Sequence, residues 1–122
     1  MADSLLEGRT ILVVEDEYFI ALDLEAELCE AGVNVVGPAA SVVSAMELIH
    51  NSGAIDGAVV DINLAGEMAF SLADVLHDRG VPFIFATGCD KTSIPERFGQ
   101  IPLCGKPSAF RDLQRSLEAI MA

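Results

Sequence analysis

At 122 residues the chain has the size of one domain, with no room for a second hydrophobic core. Its 52% hydrophobic and 21% charged residues argue against disorder, and no apolar run approaches the ~20 residues of a membrane-spanning helix. With 19 acids against 7 bases the formal net charge is −12; such a surface repels phosphate backbones and anionic lipid, so proteins or cations are expected as partners, not nucleic acid or membrane.

The start, Met1-Ala2-Asp3-Ser4, lacks the basic stretch of a signal peptide, and a cytoplasmic protein is the expectation. Residues 1–8 read as a flexible lead-in to a single domain over 9–122. Thr10–Val14 is a short apolar run. Over Glu17–Ala31, Ile20, Leu24, Leu28 and Ala31 form one helical stripe, and Gly32 is placed to end that helix. Asn34–Ala39 is a second apolar run. Ser41 is the expected N-cap of a helix over Val42–Asn51. Ala58–Asp61 is the third run, followed by a polar turn and a helix near Met68–Arg79 closed by Gly80. Phe83–Thr87 is the fourth run and Ile101–Cys104 the fifth. Between them Pro95 can open a helix that Gly99 soon stops, so the fourth helix is expected to be short, irregular or mobile. Ser108 can cap a last helix with Phe110, Leu113, Leu117 and Ile120 on its apolar face. Cys29, Cys89 and Cys104 lack the pairing of a disulfide framework or zinc site and read as reduced thiols, two of them in the core.

Continuously apolar strands alternating with amphipathic helices predict a doubly wound α/β fold. It is a five-stranded parallel sheet covered on both faces, flavodoxin-like, with strand order 2-1-3-4-5. In such sheets ligands sit beyond the carboxyl ends of the strands. Glu15 and Asp16 follow the first strand, Asp61 ends the third, Thr87 ends the fourth, and Lys106-Pro107 follows the fifth. Taken singly, the acids read as helix caps or turn formers, Thr87 as a strand residue and Lys106 as a solvated lysine. Together they are the groups that phosphoryl transfer to a carboxylate requires. Clustered acids call for a cation, and Mg²⁺ favours oxygen ligands. Asp16, Asp61 and the main-chain carbonyl of Asn63 can hold Mg²⁺, with Glu15 on a metal-bound water. Asp61 is then the nucleophile, while Thr87 and Lys106 contact the phosphoryl oxygens.

These residues, in this order and spacing, resemble the receiver domains of two-component response regulators (CheY-like). The resemblance implies phosphorylation of Asp61, an acidic pair at Glu15 and Asp16, a hydroxyl and a lysine at Thr87 and Lys106, and a cis peptide before Pro107. Phe85-Ala86-Thr87-Gly88, with Asp61-Ile62-Asn63-Leu64-Ala65-Gly66-Glu67, is similar to the FATGUY class, many of them single domains. That implies a sensor histidine kinase of the HWE or related type as partner and an unusual fourth helix. Asp90 stands where that class has Tyr, and Leu103 where receivers carry the inward-swinging Tyr or Phe. The switch is therefore expected in Thr87, Gly88 and the following loop, with no aromatic rotamer at Leu103.

The function expected is that of a stand-alone phosphoacceptor, with no output domain after residue 122, signalling by protein–protein contact as a monomer or weak dimer and not acting as an enzyme. Two alternatives are a phosphorylation-independent binding module of the same fold and a haloacid-dehalogenase-like phosphatase. The latter needs a DxD motif after the first strand, whereas here Asp61-Ile62-Asn63 follows the third. Kinase, stimulus and downstream target are not encoded legibly.

Overall fold

Strands that are apolar at every position need cover on both faces, and the chain supplies it. A computed structural model describes residues 5–87, 94–105 and 110–121. The elements run β1 (Thr10–Val14), α1 (Tyr18–Glu30), β2 (Asn34–Ala39), α2 (Val42–Asn51), β3 (Gly57–Asp61), β4 (Asn63–Leu64), β5 (Glu67–Met68) and α3 (Phe70–Asp78). They continue with β6 (Phe83–Thr87), a 3-10 turn at Glu96–Phe98, β7 (Leu103–Gly105) and α4 (Phe110–Met121). Five strands form one parallel sheet in the order β2-β1-β3-β6-β7, which is 2-1-3-4-5 once the two-residue strands β4 and β5 are set aside.

Alternation along each strand divides the core in two. Leu12, Val14, Ala58, Val60, Phe83 and Phe85 face α2, α3 and Phe98. Ile11, Val13, Val59, Ile84, Ala86 and Cys104 face Leu28 of α1 and Leu113 and Leu117 of α4. The second layer reaches into the stretch expected as a flexible lead-in. Leu6 is fully buried there, and the Gly8 N–H donates to the Gly32 carbonyl at 2.9 Å. Among the described cysteines Cys104 is buried and Cys29 exposed. No helix among the described residues is long and apolar enough to cross a membrane.

Local chemistry explains the boundaries. Ser41 caps α2 as expected: its Oγ accepts the Ser44 N–H at 3.1 Å, and Ser44 Oγ accepts the Ser41 N–H at 3.3 Å. In β2 the pair Gly37-Pro38 makes a bulge, so that two steps along β1 (Leu12 to Val14) match three along β2 (Val36 to Ala39). Gly37 has φ 101, and a Cβ there would lie 2.8 Å from both the Ala39 nitrogen and the Val13 oxygen, so only glycine fits.

Some expectations are corrected. The stretch after Asp61 is not a simple polar turn but the β4–β5 hairpin, which delays α3 from Met68 to Phe70. The last strand is Leu103–Gly105, later than Ile101–Cys104, because the Ile101 N–H is taken by the Phe98 carbonyl at 3.0 Å. Pro95 stands before the 3-10 turn rather than in its first position. The cap expected at Ser108 and the cis peptide expected before Pro107 lie outside the described residues.

The 3-10 turn is short but firmly docked. Phe98 is buried, stacks on Phe70 (5.9 Å, 21°) and meets Phe85 edge-on (5.5 Å, 88°). Arg97 lies over the Phe98 ring at 4.6 Å and binds Asp74 of α3 through Nε (2.9 Å) and Nη2 (3.0 Å). That hydrogen bond holds the Asp74 carboxyl below its ordinary value of 3.8. The contribution of the pair is therefore present above that value and fades as pH falls through the lowered one.

Two outcomes follow from this docking. Phe98→Ala should cost about 3–5 kcal/mol in urea unfolding, and a cost below 1 kcal/mol would contradict the packing described. Asp74→Asn should lower Tm slightly at neutral pH, with the difference from wild type vanishing as pH drops below 3.8. A difference that stays constant from neutral to acid pH would exclude the ion pair as its cause.

Candidate functional site: an acidic rim at the carboxyl edge of the sheet

Register builds the site. In the β1–β3 ladder Val14 pairs with Val60, so one step further along the two strands come Glu15 and Asp61. The bulge in β2 lets the Glu15 N–H bond to the Ala39 carbonyl at 2.9 Å, continuing the ladder past the end of β1. Glu15 (4% exposed) and Asp61 (3%) are the buried charged side chains among the described residues, and Asp16 is half-buried beside them. Carboxylate oxygens of Glu15, Asp16 and Asp61 all lie within 4.8 Å of one another. Two unit charges at that separation repel by roughly 3 kcal/mol at an effective dielectric near 20.

Backbone donors offset part of this. The Glu17 N–H donates to Glu15 Oε2 at 3.0 Å, and the Asn63 N–H donates to Asp61 Oδ1 at 3.2 Å. The donor set also fits a hard divalent cation. Octahedral Mg²⁺ with ligands at ~2.0–2.1 Å spaces its oxygens by about 2.9 Å when adjacent and about 4.2 Å when opposite. Carboxylates within 4.8 Å of one another are within reach of one such ion, two as direct ligands and the third through a bound water. Such an ion would supply positive charge where the acids crowd.

The other expected residues are placed in part. Asn63 opens β4 next to Asp61. Thr87 closes β6 one residue beyond Ala86, which pairs with Asp61, and pairs in turn with Gly105 at the end of β7. Gly88 and Lys106 lie outside the described residues. Leu103 is 50% exposed in β7 and pairs with Phe85.

One feature escaped the sequence reading. Asn63 Oδ1 accepts the Gly66 N–H at 2.7 Å, bridging the hairpin tip, where Ala65 (φ 52) and Gly66 (φ 92) both have left-handed backbone. These φ signs are those of a type I′ hairpin, and Ala in that region costs about 1–2 kcal/mol. Gly66 in the second position of the tip, with Asn63 two residues before the tip, was the available signal. A second feature is the exposed pair Tyr18 and Phe19, edge-to-face at 5.4 Å, at the start of α1 directly after the acids.

A doubly wound sheet with three converging carboxylates at its carboxyl edge defines a flavodoxin-like α/β domain with a cation-ready rim. No family model matches the chain. Solved structures do. SdrG from Sphingomonas melonis Fr1 superposes with a TM-score of 0.82 at 34% identity, covering 100% of both chains. SdrG in its BeF3-activated conformation gives 0.78 at the same identity, covering 99% of this chain and 100% of that one. A response regulator receiver protein from Sinorhizobium medicae WSM419 gives 0.78 at 27% identity, covering 95% and 96%. The phyllosphere-induced regulator PhyR of Methylorubrum extorquens is 38% identical over 90 residues, which is 72% of this chain but 32% of PhyR, so the chain spans about a third of that relative's length. The chain belongs to the response-regulator receiver domains. It is accordingly a signalling domain of the two-component type and not an enzyme, and the phosphatase alternative is set aside.

The rim can be tested without any phosphoryl donor. Asp16→Asn should raise Tm by a few degrees in metal-free buffer, because it removes like-charge repulsion, and should abolish most of the stabilisation that millimolar Mg²⁺ gives wild type. A Tm unchanged by Mg²⁺ in wild type, or equally raised in both proteins, would exclude the rim as a cation site.

Proposed function

We propose that the chain is a phosphoacceptor of the FATGUY receiver class, taking a phosphoryl group on Asp61 from a sensor histidine kinase of the HWE or related type. The observation that carries this reading is the convergence of Asp61 with Glu15 and Asp16 within 4.8 Å at the sheet's carboxyl edge, in a chain of the receiver family. Relatedness to a protein recorded in a BeF3-activated conformation supports it further, since BeF3 imitates a phosphoryl group on a carboxylate.

In this reading an Asp61 carboxylate oxygen attacks phosphorus. The bond to the donor histidine nitrogen breaks, and its electron pair stays on that nitrogen. Mg²⁺ would be held by Asp16, Asp61 and the Asn63 main-chain carbonyl, with Glu15 on a bound water; it supplies charge neutralisation. Thr87 donates a hydrogen bond to one phosphoryl oxygen and Lys106 pairs with another. The exposed Tyr18 and Phe19 beside the acids offer an apolar docking patch for the donor.

Signalling follows as a population shift among protein-binding surfaces. The added phosphoryl carries about −1.5 to −2 charges and draws Thr87 and Lys106 toward it. Gly88 and the loop after it then reorganise, and with them the surface of the 3-10 turn, β7 and α4. A swing from 1:99 to 99:1 needs ~5.5 kcal/mol, within reach of a few charge-assisted bonds of ~1.5–3 kcal/mol each. With Leu103 aliphatic and half exposed, no aromatic swings inward at that position.

Incubation with acetyl phosphate and Mg²⁺, followed by intact mass, should give one added phosphoryl on wild type and none on Asp61→Asn. No adduct on wild type from either acetyl phosphate or a phosphorylated HWE-type kinase would overturn the proposal in favour of a phosphorylation-independent binding module.

A further inference from the structure

The tip of the hairpin after Asp61 is built from an ill-suited residue. Ala65 and Gly66 hold φ of 52 and 92, a conformation that glycine adopts freely and alanine resists. Strain of this kind persists only where surrounding contacts over-determine it. Here the contacts are visible. Leu64 is buried, the Ala69 N–H closes the base of the hairpin on the Ile62 carbonyl at 2.8 Å, and Asn63 Oδ1 takes the Gly66 N–H at 2.7 Å across the tip.

Asn63 therefore works at both ends of the unit. Its side chain ties the strained tip, and its own backbone N–H donates to Asp61 Oδ1 at 3.2 Å. We infer that Asn63 is a positioning residue for the phosphoacceptor. By tying the Ala65–Gly66 turn, its amide keeps the β4–β5 hairpin closed, and the closed hairpin holds the Asn63 N–H against Asp61, setting the rotation of that carboxylate. The side-chain oxygen is engaged within the hairpin, and the effect inferred runs through the backbone. The inference rests on Asp61 being the phosphoacceptor, and it assigns the side chain a role separate from that of the Asn63 carbonyl.

The strain itself supplies the test. Ala65→Gly removes the steric penalty at the tip and so removes the need for the tie. Wild type, Asn63→Ala, Ala65→Gly and the double variant are compared in two ways. The first is the initial rate of phosphoryl acceptance from acetyl phosphate with Mg²⁺. The second is hydrogen exchange at the Asn63 and Gly66 amides, without donor or metal. Asn63→Ala should slow acceptance by about tenfold and speed exchange at both amides, as expected for a displaced reacting group. Ala65→Gly alone should match wild type, and the double variant should recover most of the rate and of the protection at the residue 63 amide, while the Gly66 amide, still without its Oδ1 acceptor, stays fast. A double variant that regains protection at the residue 63 amide but not rate would overturn the inference, since the side chain would then act at the reacting group itself. Unchanged Asn63 exchange in Asn63→Ala would also overturn it. If wild type accepts no phosphoryl at all, the proposed function fails, and the exchange measurements still decide whether Asn63 holds the hairpin against Asp61.

Discussion

Three carboxylates do not gather in a protein unless the backbone gives them no choice. Here the compulsion is strand register. Val14 and Val60 lie side by side in the β1–β3 ladder, so the residues that follow them, Glu15 and Asp61, leave the sheet together. The repulsion among them is roughly 3 kcal/mol per close pair at an effective dielectric near 20, a sizeable fraction of the 5–15 kcal/mol that separates folded from unfolded for a typical domain. The sheet withstands it because every strand residue beneath the rim is buried, from Ile11 to Val14 in β1 and from Gly57 to Val60 in β3. Stability stored in the apolar strands is thus spent at their carboxyl ends, where the acids crowd.

From the rim two routes lead into the fold. One runs along the chain from Asp61 into the β4–β5 hairpin, whose first residue, Asn63, donates its N–H to the carboxylate. The other runs across the sheet, from Asp61 to Ala86 in β6 and on to Cys104 in β7. On the α2–α3 face β6 presents Phe83 and Phe85, and Phe98 from the 3-10 turn packs against both, at 6.4 and 5.5 Å. The turn is thus tied to β6 through rigid rings.

Much of this was legible in the sequence, for identifiable reasons. Apolar runs with no polar alternation encode a buried parallel sheet directly, and Ser41 ahead of Val42–Asn51 encodes the α2 cap. The acids at strand ends were legible because an open parallel sheet has only one edge where ligands collect. What escaped depends on contacts distant in sequence or on the backbone alone. Nothing local ties Arg97 to Asp74, 23 residues away, or marks Phe98 as the docking residue of its turn. The hairpin after Asp61 was hidden by its length, since two-residue strands carry no periodicity, and the last strand shifted because Ile101 was claimed by the 3-10 turn. Gly37-Pro38 inside an apolar run is the sequence mark of the β2 bulge.

The central claim, that Asp61 and the acids around it form one phosphoryl-accepting site, is tested most directly by fluorine NMR of the protein with beryllofluoride. Bound fluoride signals should appear in wild type, require Mg²⁺, and be absent in Asp61→Asn. Bound signals that persist in Asp61→Asn, or that form in wild type without Mg²⁺, would contradict it.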